Sequence, residues 1–294
     1  MPCNQEGPES SRPDLFDRAS LGLDRTKSKR LLIYWHVTDA IYLALLIILF
    51  PFVRRIQPFQ RQFTLNDVTI QHPFAKHERV PNYQLFLFCT VVPAATLVLG
   101  SFAAARPGAR AYTCYVSVLG LLLAVFTTSI LTDVLKNFFG RLRPDFLARC
   151  LPDSDAPVDV LVTAGEVCMT DNMVQLMDGF RTTPLGHLSL SFAGLFFLSL
   201  WLCGQLKVTR PHTGAWRWAV CAAPTVGALL IALTRTQDYR HHFIDVLIGL
   251  IFGSVIAVWL YFRLFPSLGH VTSHQPILYL LADAENEYDP VATV

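Results

Sequence analysis

Charge is scarce in this chain. Asp, Glu, Lys and Arg make up 16% of its 294 residues, against 52% hydrophobic residues. Ordinary soluble domains carry about 25% charged residues, so this balance excludes that class and fits a polytopic membrane protein. No basic block of the kind that binds nucleic acid is present, and a net charge of +2 points to no polyanionic partner. The seven cysteines follow no metal-ligand spacing, and no repeat or separable soluble domain stands out. Residues 1–30 are polar and charged, and the first apolar run is too long for a signal-peptide core, so no cleaved leader is expected.

What is there is apolar length. Six runs, Leu31 to Val53, Leu85 to Ala105, Tyr112 to Leu135, His187 to Leu206, Trp216 to Leu233 and Phe243 to Phe262, each approach the ~20 residues a helix needs to cross the hydrocarbon core. They predict an all-α bundle of six transmembrane helices over residues 31–263. Residues 1–30 and 264–294 read as weakly ordered tails, and an even number of spans puts both on one side. Lys and Arg then divide twelve and twelve between the two faces. Setting aside Lys136, Arg141, Arg143, Arg181, Arg235 and Arg240, which have another reason for their place, leaves twelve against six and makes the tails cytoplasmic. Cys89, Cys114, Cys203 and Cys221 lie in apolar runs and read as small core residues. Cys150 and Cys168 share the one long polar connection, where an oxidising compartment would allow a disulfide. The connection from Arg54 to Gln84 carries Phe59, Phe63, Ile70 and Phe74. Two readings stay open for it, a segment lying on the membrane surface and an ordinary packed loop. His36 and Asp39 are three apart and are expected to pair inside the bundle, a structural role.

Chemistry concentrates in Thr234-Arg-Thr-Gln-Asp-Tyr-Arg-His-His-Phe-Ile-Asp245, where two arginines, two histidines and two aspartates are wedged between apolar runs. Such charge at the edge of a bilayer core is expensive and marks a functional site. His241 and Asp245 are four apart. On one helical face, the carboxylate would hold one imidazole nitrogen and leave the other free as nucleophile or base. The plain structural alternative is a polar helix start with Asp245 at the positive dipole end. Two more clusters fall on the same face. Lys136 and Arg143 are two helical turns apart, and Pro144 ends their element. Gly179-Phe-Arg-Thr-Thr-Pro184-Leu-Gly-His187 precedes the fourth run. Converging Lys136, Arg143 and Arg235 suit a phosphate, and Gly186 near a helix start offers a backbone N–H to the same anion. Basic residues flanking spans at headgroup level explain each piece alone, but not histidines just inside two different spans.

Lys136-x6-Arg143-Pro144, Pro184-x-Gly186-His187 and Arg235-x5-His241-x3-Asp245 resemble, in order and spacing, the three signature motifs of the type 2 phosphatidic acid phosphatases. These lipid phosphate phosphatases share a superfamily with vanadium haloperoxidases and bacterial acid phosphatases. The resemblance covers about residues 31–263 and is strongest to fungal members of the diacylglycerol pyrophosphate phosphatase kind. It implies that His241 attacks phosphorus to form a phosphohistidine with Asp245 orienting it. His187 would protonate the leaving oxygen and later activate water, while Lys136, Arg143 and Arg235 hold the phosphoryl oxygens. It also implies a Mg-independent enzyme with no metal or cofactor, and phosphatidate, lysophosphatidate or diacylglycerol pyrophosphate as substrates drawn from the bilayer. The site would face a lumen or the exterior, in the vacuole, Golgi, ER or plasma membrane.

The second motif departs from the family's Pro-Ser-Gly-His-Ser at Leu185 and Leu188. Loss of the serine hydroxyl beside the anion predicts activity reduced by roughly a hundred- to thousand-fold, which Leu185→Ser should restore. Thr234, where serine is usual, is a milder change. The departures leave a rival from another class: a catalytically silenced homologue that binds lipid headgroups or partners. Intact His187, His241 and Asp245 argue against it. A haloperoxidase fits six spans poorly, and a transporter fits charges gathered at one face poorly. The sequence gives no oligomeric state.

Overall fold

A computed structural model describes residues 27–288. A short helix α1 (Lys27–Tyr34) leads into the first of six helices long and apolar enough to span a bilayer. These six are α2 (Val37–Arg55), α3 (Asn82–Ala104), α4 (Pro107–Phe139), α8 (Gly186–Leu206), α9 (Ala215–Gln237) and α10 (Phe243–Leu264). Between α4 and α8 lie three short helices, α5 (Phe146–Cys150), α6 (Ala164–Val167) and α7 (Met173–Asp178). The protein is therefore an all-α, multi-pass integral membrane protein, and no named strand occurs among the described residues.

The bundle is built around α4 and α8. These are the most enclosed spans, whereas α2 and α9 bury only about a fifth of their length and turn apolar faces outward, as lipid contact requires. Helices α2 and α3 pack on α4, helices α9 and α10 pack on α8, and α10 also reaches α4. Their shared core holds Leu121, Leu123, Phe197, Trp201, Leu260 and Tyr261. Trp201 donates its indole N–H to Ser117 Oγ at 2.9 Å, satisfying a polar atom that hydrocarbon could not.

Two boundaries differ from the apolar pattern. The first span starts at Val37 instead of Leu31, because His36 takes a left-handed conformation (φ 49°) that separates α1 from α2. His36 Nδ1 then lies 3.1 Å from Asp39, whose other oxygen accepts from Arg263 of α10 at 2.6 Å. The C-terminal segment is not a plain tail: α11 spans Ile277–Tyr288, and Tyr279 packs by Tyr112. Of the predicted N-terminal tail, residues 1–26 lie outside the described residues, as do 289–294 at the other end.

The connection between α2 and α3 packs as a loop against the protein. Phe63 and Ile70 are buried in a small second core with Phe146, Val162 and Phe180, and Phe63 pairs with Val162 through their backbones. Cys150 and Cys168 are disulfide-bonded within this layer, which sits over the ends of the spans that carry the charged motifs.

Candidate active site

The three charged stretches meet around one cavity of about 540 Å³. Lys136, Arg143, Gly186, His187, Arg235 and His241 all line it. Helix α4 delivers Lys136 on its last turn and stops at Gly140, whose left-handed backbone (φ 55°) returns an N–H to the Lys136 carbonyl at 3.2 Å. The chain then runs beside the second motif: Arg143 N–H donates to Gly179 O (2.9 Å) and Thr182 N–H to Arg141 O (3.3 Å). These backbone bonds fix Arg143 against the approach to α8. Gly186 opens α8 where a Cβ would come within 2.9 Å of Lys136 Nζ, so the missing side chain is what lets the amine approach.

His241 is the best-defined group. It is buried, and its Nδ1 lies 2.7 Å from the Thr182 carbonyl. A carbonyl only accepts, so Nδ1 carries the proton and Nε2 keeps its lone pair. Burial, and then Arg143, Lys136 and Arg235, push the His241 pKa well below its ordinary value, which keeps the ring neutral. Across the cavity wall, His187 Nε2 is buried without a hydrogen-bond partner. Lys136 forms no ion pair among the described residues, and the Nε atoms of Arg143 and Arg235 are buried and unpartnered. Unmet donors around a neutral imidazole are what an incoming phosphoryl group would satisfy.

Asp245 does not hold His241 directly. His241 precedes the helix: α10 starts at Phe243 with His242 as its N-cap, so the four-residue helical spacing does not apply. Asp245 instead closes a capping box, accepting from the His242 N–H at 2.9 Å, and it also accepts from Arg141 (3.1 Å) and the Thr183 hydroxyl. It reaches His241 only through Thr182, whose hydroxyl is 2.9 Å from Asp245 and 3.2 Å from His241 Nδ1. Thr182 thus does what the spacing assigned to Asp245. Its only signal in the sequence is its place in the Gly179–His187 stretch.

Leu185 also differs from expectation. Its side chain is fully buried with Leu188, Leu85, Cys89 and Phe192 in an apolar cluster and does not line the cavity. Its N–H donates to the Asp245 carbonyl at 3.3 Å, which ties the second motif to the third and is not left for an anion.

Two acidic residues outside the three motifs complete the site. Asp178, at the end of α7, accepts from Arg143 (2.8 Å) and Arg149 (3.0 Å). Burial alone would raise its pKa, but Arg143, Arg149, Lys136 and Arg240 outweigh that and hold it at about 2. Glu78 bridges Arg235 and Arg240, each at 3.1 Å. Among the described residues no three His, Cys, Asp or Glu side chains converge as a metal site.

Residues 117–267 match the PAP2 superfamily. The chain belongs to that superfamily. It is 49% identical to "Diacylglycerol pyrophosphate phosphatase 1" of Saccharomyces cerevisiae over 83% of this chain and 84% of the relative. It is 42% identical to "Probable diacylglycerol pyrophosphate phosphatase 1" of Schizosaccharomyces pombe over 90% and 93%. "Lipid phosphate phosphatase 1" of Arabidopsis thaliana is 33% identical over 85% of this chain and 74% of its own length. No solved structure is a significant match. Within this superfamily the chain is a fungal-type member by similarity, and its three motifs are the ones gathered at the cavity.

Proposed function

We propose that this PAP2 protein is a lipid phosphatase that hydrolyses phosphatidate, lysophosphatidate or diacylglycerol pyrophosphate through a phosphohistidine. The observation that carries the reading is His241 with its Nδ1–H held by the Thr182 carbonyl and its free Nε2 amid Lys136, Arg143 and Arg235. In the first step Nε2 bonds to phosphorus, the bond from phosphorus to the lipid oxygen breaks, and His187 gives that oxygen a proton. In the second, His187 takes a proton from water, the water oxygen bonds to phosphorus, and the P–N bond breaks to release inorganic phosphate. The three cations stay fixed while negative charge builds on the equatorial oxygens, so no reorganisation is needed at the moment of reaction. They supply the positive charge for which other phosphatases use a metal ion, and the reaction runs without Mg.

The substrate's reacting group enters at the ends of the spans, at headgroup depth, so the lipid need not leave the bilayer. Both tails are cytoplasmic and the site faces the lumen or exterior, where the Cys150–Cys168 disulfide is stable. Leu185 packs away from the cavity, so the second-motif departure supplies no support for a silenced, lipid-binding homologue. Trapping tests the mechanism. Purified protein quenched during turnover of phosphatidate radiolabelled in its phosphate should carry acid-labile, alkali-stable label on the peptide containing His241. Absence of label there, with turnover continuing, would sink the covalent route.

A further inference from the structure

The loop ahead of α3 forms a strap across the third motif. His72 N–H donates to Pro144 O at 2.9 Å, and the His72 ring stacks on Tyr239. Phe74 sits under both Arg149 and Arg240, with guanidinium carbons 4.9 and 4.6 Å from its ring centre. Arg79 donates to Asp238 at 2.6 Å. Nothing in the three motifs themselves predicts that this segment enters the site.

Its contact with Arg235 is selective. Arg235 meets Glu78 Oε2 at 3.1 Å, the Val80 carbonyl at 3.1 Å and Asp238 at 3.6 Å, and all three are on Nη1. Nε is buried without a partner. The Nε–H and the neighbouring Nη2 form the side-on fork of a guanidinium, which matches two oxygens of one phosphoryl group. The strap therefore grips one end of the side chain and leaves the fork that can take phosphate. The second oxygen of Glu78 lies 3.1 Å from Arg240, which is itself fixed over Phe74 and by the Ala75 carbonyl. Glu78 thus has a rigid backing on one side and Arg235 on the other, and it lines the cavity.

We propose that Glu78 is a positioning residue of the phosphatase, which fixes Nη1 of Arg235 and so aims its free fork at the phosphoryl oxygens. The proposal rests on Arg235 as a phosphate ligand. Glu78 and phosphate take different edges of one guanidinium, so Glu78 does not compete with the substrate. Its effect is realised as charge builds on the transferring group, and it appears in kcat more than in KM.

A double-mutant cycle on the full chain in detergent tests this, with Glu78→Ala, Arg235→Ala and the pair. Phosphatidate turnover and orthovanadate affinity are the two readouts, the second serving where turnover becomes too slow. Glu78→Ala should lower kcat about tenfold or more with KM within about threefold, weaken orthovanadate by a similar factor, and add less than about twofold on the Arg235→Ala background. Losses that multiply across the two sites, or unchanged kcat in Glu78→Ala, would overturn the proposal. If Glu78→Ala does not accumulate folded, Glu78→Gln carries the same cycle, with a smaller loss that should again vanish on the Arg235→Ala background. An Arg235→Ala enzyme as active as the native one would instead overturn the assignment of Arg235 as a phosphate ligand.

Discussion

A neutral imidazole among cations is the residue-scale feature on which the proposed chemistry depends. Burial and the nearby Arg143, Lys136 and Arg235 lower the His241 pKa, and in the proposed mechanism the unprotonated form is the one that reacts. The reactive form therefore persists as pH falls through the ordinary histidine range. The acid limb of kcat/KM, corrected for the substrate's own second ionisation, should lie well below pH 6.5. An enzyme-borne limb near 6.5 would contradict the burial argument. Leu185 shows where a motif read by residue type misleads. Beside an anion it would be damaging, but here it fills an apolar cluster. Leu185→Ser should leave turnover within a few-fold of native and destabilise the fold by about 2–4 kcal/mol through lost packing. Activity rising a hundredfold would restore the opposite view. Gly186→Ala should do the reverse: its Cβ crowds only the flexible end of Lys136 and meets Thr132 at an ordinary 3.6 Å, so thermal stability should hold while kcat/KM falls.

At the scale of elements, the six spans were legible because each is a long apolar run with little else it could be. The cations and histidines were legible because charge next to such runs is costly. What could not be read were the groups that hold them. Asp178 comes from a short helix in a polar connection, Glu78 from an irregular loop, and the Thr182 carbonyl is backbone and has no residue signature at all. The His241–Asp245 spacing misled because α10 begins after His241. The layer that carries Asp178 is stapled by Cys150–Cys168 across 18 residues. Closing a loop of that size contributes about 3 kcal/mol by restricting the unfolded chain. Cys150→Ser with Cys168→Ser should lower the melting temperature and, by loosening Asp178 from Arg143, lower turnover as well. A melting temperature unchanged by the double substitution would show that the small core around Phe146 and Phe180 holds this layer alone.

On the scale of the whole molecule, the bundle separates its tasks by face. Outward faces of α2 and α9 meet lipid, α4 and α8 form the packed centre, and every motif group emerges at one end. The proposed cytoplasmic placement of the tails rests on an asymmetry of basic residues that appears only when the site's own cations are set aside. In sealed vesicles oriented with the lumenal or exterior face outward, an epitope at either terminus should be protected from added protease, while a membrane-impermeant phosphatidate analogue is hydrolysed outside. Digestion of the terminal epitopes with the vesicles intact would reverse the topology.

The central claim is a covalent histidine phosphatase that needs no metal, and phosphate release in detergent micelles with EDTA present tests it most directly. With phosphatidate and diacylglycerol pyrophosphate as substrates, the native chain should release phosphate and His241→Ala should release none above background. Equal release by the two proteins, or native release that requires added Mg, would contradict the account.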